Sequence, residues 1–306
     1  MKYIGGSVRN CLLLIIAYIA LSLLLPAYPL DLKNYDLTAH SYHVLRFLLA
    51  LPISFVWLTA FFGYSRLEAF ARTIHKTPEA PAYQRLVRGF HWLVWGLPIP
   101  SLVSLLMNNL IAAHHPAFHS AAIIIVNYLT LGFVIISLLI ISSATSELAI
   151  KAKRVFSAAS TRSLQLIFVT TGVLYCYLTF RHIPLASLGS TNNPYYLPVW
   201  LLIITIIVPS LYAWFMGLLA AYDIGLIAKQ TQGVIYKQAL RLLALGTVII
   251  IACLVAQQYL HTVIPRTGHL KLDVVLVATY TIYICMAIGF VLLSVGAMRL
   301  KRIEEV

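Results

Sequence analysis

Eight stretches of about twenty apolar residues constrain this chain more than anything else in it. They fall at roughly 10–30, 42–64, 91–112, 120–143, 164–183, 197–222, 242–261 and 273–298. In hydrocarbon no water serves a backbone amide or carbonyl, so each run has to close its hydrogen bonds internally. A helix of about twenty residues spans a hydrocarbon layer of about 30 Å. The expected fold class is therefore an all-α integral membrane protein with eight transmembrane helices. Composition agrees: 61% of the 306 residues are hydrophobic and 10% are charged, against about 25% charged in soluble domains.

The formal charge of +13 would suit a nucleic-acid partner, but its distribution argues otherwise. The basic residues lie in short segments between apolar runs, where they orient helices, and no soluble module exists to hold nucleic acid. With the N-terminus inside, only Lys33, Arg46, Arg181, Arg266 and Lys271 of the 22 Lys and Arg residues fall outside. Both termini are thus expected in the cytoplasm, and the expected location is the cytoplasmic membrane. The first run follows Lys2 and Arg9 as a signal peptide would. It lacks a clean small-x-small cleavage site, so it reads as a retained span. Cys11, Cys176, Cys253 and Cys285 each sit inside an apolar run and form no CxxC, so they read as packing residues.

Setting residue 9 against residue 162 brings the two halves into register. In span 2 "LPISFVW" ends in Trp57, five residues after Pro52; in span 6 "VPSLYAW" ends in Trp214, five residues after Pro209. The loops that follow hold "YQRLVR", with Tyr83 and Arg88, and "YKQALR", with Tyr236 and Arg241. Spans 3 and 7 end in the amide pairs Asn108–Asn109 and Gln257–Gln258, and spans 4 and 8 carry "GFVIIS" (132–137) and "GFVLLS" (289–294). These matches keep one order, which reads as a tandem duplication of a four-helix unit, with repeats at 1–155 and 156–306. An even number of spans gives both copies one topology and a pseudo-two-fold along the membrane normal. Matched prolines would kink matched helices and open a cavity between the halves. With the amide pairs they make a candidate substrate path of Pro52, Asn108, Asn109, Pro209, Gln257 and Gln258.

The longest internal loop, 65–90, begins with Leu67, Phe70, Ala71 and Ile74 and suits a short surface helix ending before Pro78. It lies against the bilayer in this reading. Together with 223–241 it is also the expected docking surface for a protein partner. The chain has no GxxxxGK[ST] and no GxGxxG. All nine carboxylates are read into loops or span ends, which argues against coupling through a buried acid.

Eight of the ten histidines fall at the outer face, leaving only His75 and His91 inside. Asp36, His40 and His43 are spaced i, i+4 and i+7, and on one helix they share a face. With His119 and His269 at the same level they form a candidate outer site for zinc, copper or haem. Within "IAAHHPAFH" (111–119), His119 pairs with His269 of the second repeat, whereas His115 has no histidine opposite it and His114 matches His261 only with a shift, so these two read as loop residues.

Eight spans in two halves, with histidines near the outer ends of even-numbered spans, resemble haem A synthase. That family carries a haem-associated histidine on the second and fourth helices of each half. The resemblance implies His43, His119 and His269 at three of the four places. Span 6 opens "PYYLPVW" and has no histidine for the fourth, and the family's external cysteine pair and leading glutamate are absent. Three functional readings follow from the sequence. The foremost is a permease or channel-like carrier of a small or amphipathic solute, with no cofactor. The second is a sensor, assembly factor or subunit of a larger membrane complex. The third is a metal- or haem-dependent membrane enzyme.

Overall fold

A computed structural model describes residues 2–25, 39–74, 76–107, 119–151, 208–231, 233–267 and 272–304. Among the described residues all regular structure is helical: α1 (Lys2–Leu24), α2 (Ala39–Thr73), α3 (Ala80–Trp95), α4 (Pro98–Leu106), α5 (His119–Lys151), α6 (Val208–Gln230), α7 (Val234–Thr267) and α8 (Leu272–Glu304). They supply seven segments long and apolar enough to cross a membrane, with α3 and α4 forming one. The chain is thus a multi-pass membrane protein by helix length and composition. The expected fifth span, 164–183, and the start of the sixth lie outside the described residues.

Several helices run well beyond their apolar cores. At 35 residues, α2 is about 50 Å long, so the expected surface helix is instead its continuation. Leu67, Phe70, Ala71 and Ile74 are buried against the protein rather than laid on lipid. Phe70 meets the Tyr83 ring edge-on at 5.2 Å. The stretches 65–90 and 223–241 accordingly consist mostly of helix ends rather than loops. The third span differs too. The sequence suggests an unbroken helix over 91–112, but "GLPIP" (96–100) interrupts it. Pro98 and Pro100 lack amide hydrogens, so α3 stops at Trp95 and α4 restarts at Pro98.

Six helices close into a ring in the order α2, α8, α7, α6, α5, α3 and back to α2, with α1 outside against α2 and α4. Arg46 Nη1 donates to the Leu25 carbonyl at 3.2 Å, tying the end of α1 to α2. The contacts fix the directions. Leu48 lies beside Tyr280 and Gly63 beside Phe290, so α2 and α8 are parallel. Ser146 lies beside Asp223, and Leu138 beside Gly217, so α5 and α6 are parallel as well. Neighbours within each half are antiparallel. Arg66, Arg72, Arg85, Arg88, Lys229, Lys237, Arg241, Arg299 and Arg302 therefore gather at one end, the basic end.

Lipid tails are as apolar as leucine, so helices in a membrane associate through close packing more than through hydrophobic burial. Glycine permits the closest approach here. A Cβ on Gly246 of α7 would sit 2.6 Å from the Gly289 carbonyl oxygen of α8, and one on Gly89 of α3 would sit 3.0 Å from the Ile141 amide of α5. Gly132, in contrast, has open space where a Cβ would go. Backbone cannot retreat as a flexible side chain can. We expect Gly246→Ala to cost about 1–3 kcal/mol by overpacking. Gly132→Ala should be neutral or stabilising by up to about 1 kcal/mol through helix propensity. Thermal unfolding of the two variants in detergent checks the contrast.

Candidate functional site

The ring encloses a cavity of about 40 Å³, lined from both halves of the chain. Ile53, Val56 and Trp57 come from α2, Leu93 and Gly96 from the α3 end, Pro100 and Ser101 from α4, and Thr130 and Val134 from α5. Leu254, Gln257 and Tyr283 close it from α7 and α8. Trp57 is held in place by the Tyr18 ring at 4.9 Å. The wall is mostly apolar, and its polar groups are hydroxyls and one amide. Gln257 Nε2 donates to Tyr283 Oη at 2.9 Å. Ser101 and Thr130 donate to the Leu97 and Val126 carbonyls of their own chain segments, each at 2.8 Å.

Toward the basic end the ring interior is filled. Phe61, Leu138, Ile250, Met286, Phe290 and Leu293 are essentially fully buried there. Beyond them Tyr83, in the first turn of α3, meets Tyr236, in the first turn of α7, with hydroxyl oxygens 3.4 Å apart. The cavity is therefore closed on this side by side chains from both halves.

Of the candidate path residues, Gln257 lines the cavity and Pro52 is buried beside it in α2. Pro209 and Gln258 lie in α6 and α7, and nothing is described of their side chains. Asn108 and Asn109 lie outside the described residues. Of the candidate metal ligands, His43 is half-buried near the start of α2, and His40 and His119 occupy first turns of α2 and α5. Asp36 and His269 lie outside the described residues. Among the described residues no three metal-ligating side chains cluster.

Two features escape the sequence reading. Proline inside a helix leaves the carbonyl four residues earlier without its amide partner. For Pro52 that carbonyl is Leu48, and Tyr280 Oη of α8 donates to it at 2.6 Å. The second feature corrects the expectation that no carboxylate is buried. Because α6 continues to Gln230, Asp223 is fully buried inside a candidate span and accepts a 2.9 Å hydrogen bond from Ser146 Oγ of α5. The signal was present in "AAYDIGLIA", apolar on both sides of the acid. The next residue on α5, Glu147, pairs with Arg85 of α3. One turn of α5 thus holds both of its neighbours in the ring.

No family model matches this chain, and neither a curated protein nor a solved structure matches it.

The Pro52 arrangement makes a thermodynamic prediction. Tyr280→Phe leaves the Leu48 carbonyl unsatisfied and should cost about 1–3 kcal/mol. Pro52→Ala restores an amide hydrogen to that carbonyl. In the Pro52→Ala background Tyr280→Phe should therefore cost under about 1 kcal/mol. A double-mutant cycle of unfolding free energies measures the coupling; additive costs would break the link.

Proposed function

We propose that this protein is a permease or channel-like carrier of a small solute, with its path along the axis between two tandem four-helix repeats, 1–155 and 156–306. The basic end and both termini lie in the cytoplasm, as the excess of Lys and Arg there argues, and the membrane is the cytoplasmic one. The observation that carries the reading is the central cavity with walls from both halves, sealed at the basic end by Tyr83 and Tyr236.

The ring order supports the duplication. Exchanging α2 with α6, α3 with α7 and α5 with α8 turns every ring contact into another ring contact. It also exchanges the parallel pair α2 and α8 with the parallel pair α6 and α5. Tyr83 and Tyr236 are partners in the repeat, and residues related by a two-fold touch only near its axis. Their contact supports an axis through this seal. A carrier built this way opens by rocking one half against the other, and the Tyr pair has to part for solute to reach the cytoplasm.

A second reading, a subunit docking a protein partner through 65–90 and 223–241, has one observation in its favour. An open groove of about 330 Å³ at the basic end is lined by Glu68, Ala71, Arg72, Gln84 and Val87. The outer-face zinc, copper or haem site rests on its histidine spacing alone.

The test of the carrier reading is a reversible bridge across the seal. In proteoliposomes, Tyr83→Cys with Tyr236→Cys should conduct solute until the two thiols are joined by a short disulfide-forming bifunctional reagent. Reductant should restore the flux. Flux indifferent to the bridge would remove this path from consideration.

A further inference from the structure

We infer that the central cavity recognises small, uncharged solutes that donate hydrogen bonds, with Gln257 and Tyr283 as the residues that determine specificity; this rests on the carrier reading above. Among the described residues the cavity lining holds no charged side chain. The Ser101 and Thr130 hydroxyls spend their protons on carbonyls of their own segments, so each offers a guest only oxygen lone pairs. Tyr283 Oη already accepts from Gln257 Nε2, and its own proton remains to be donated. Gln257 keeps its carbonyl oxygen and one amide hydrogen. Acceptors therefore outnumber donors, and they sit in a cavity otherwise walled by Ile53, Val56, Leu254 and Trp57.

Each class of guest meets this wall differently. An anion faces mostly oxygen lone pairs and finds no cation to neutralise it. A metal ion finds among the described lining one amide oxygen and three hydroxyls, short of the six or more oxygens that hard cations take, and no counter-charge for its desolvation. A wholly apolar guest would displace water from these polar groups and return no hydrogen bond. A neutral donor satisfies the spare acceptors at Ser101, Thr130 and Gln257, and takes the Tyr283 proton on any acceptor of its own. The open space of about 40 Å³ exceeds by a few-fold the roughly 10–15 Å³ that one water requires, which suits a guest of a few heavy atoms. The class is therefore water, ammonia, urea, and the shortest alcohols and amides.

The experiment is stopped-flow light scattering of proteoliposomes with urea as probe, run beside sodium and acetate. Urea should cross faster than through empty vesicles, with no protein-dependent passage of either ion. Tyr283→Phe removes one donor and should slow urea roughly three- to ten-fold, the usual weight of a single hydrogen bond. Gln257→Leu should slow it at least as much. Tyr283→Phe changes one atom of a packed ring, so it remains informative if Gln257→Leu fails to fold. Protein-dependent urea flux that both variants leave unchanged would overturn the recognition role and spare the carrier. Sodium or acetate passing faster than urea would also overturn the solute class alone. Absence of protein-dependent flux for all three probes would sink the carrier reading and this inference with it.

Discussion

Everything in this fold follows from the rule that a backbone polar group in hydrocarbon must find its partner inside the protein. Continuous helix meets it within one segment, and the interruptions are where the chain becomes specific. At Pro52 the Leu48 carbonyl loses its partner within the helix, and Tyr280 of α8 supplies the replacement. A covalent property of one residue in the first half is thus answered by a hydroxyl in the second. At Gly96 and Leu97 the chain instead accepts a break, and the interrupted span leaves room at the ring centre. The cavity is lined there by Gly96, Leu97, Pro100 and Ser101.

The same constraint explains how the halves are held. Hydrophobic burial distinguishes poorly between lipid and protein, so the antiparallel pairs inside each half rely on glycine contacts, Gly89 against α5 and Gly246 against α8. Polar links add to this inside the halves, Arg85 to Glu147 and Gln257 to Tyr283. The seams between halves combine a close Gly63–Phe290 crossing with Tyr280 to Leu48, Ser146 to Asp223, and Tyr83 to Tyr236.

The helical membrane fold was legible because its cause is local. Runs of apolar residues at "CLLLIIAYIALSLLL" or "VLVATYTIYICMAIGFVLL" cannot satisfy their backbone in lipid any other way. Helix ends were legible less well. Hydropathy marks where lipid stops, whereas a helix continues as long as its flanking residues find a packed surface, as Phe70 does against Tyr83 of α3. That difference moved Asp223 from an expected span end into a buried seam. Part of the candidate site was legible too. Gln257 was readable as an amide near a span end, but nothing in the sequence singled out its partner Tyr283, one of several tyrosines inside the last apolar run.

The sequence by itself determined the solvent, the helical spans and the side on which charge collects, since these depend on composition and on neighbours along the chain. Tertiary structure alone decided the ring order, the burial of Asp223, the answer to the Pro52 carbonyl and the polar pair at the cavity. Each of these joins residues far apart in sequence, Leu48 with Tyr280 or Ser146 with Asp223. Their meeting depends on which helix faces pack, and the period of apolar residues inside lipid carries little record of that.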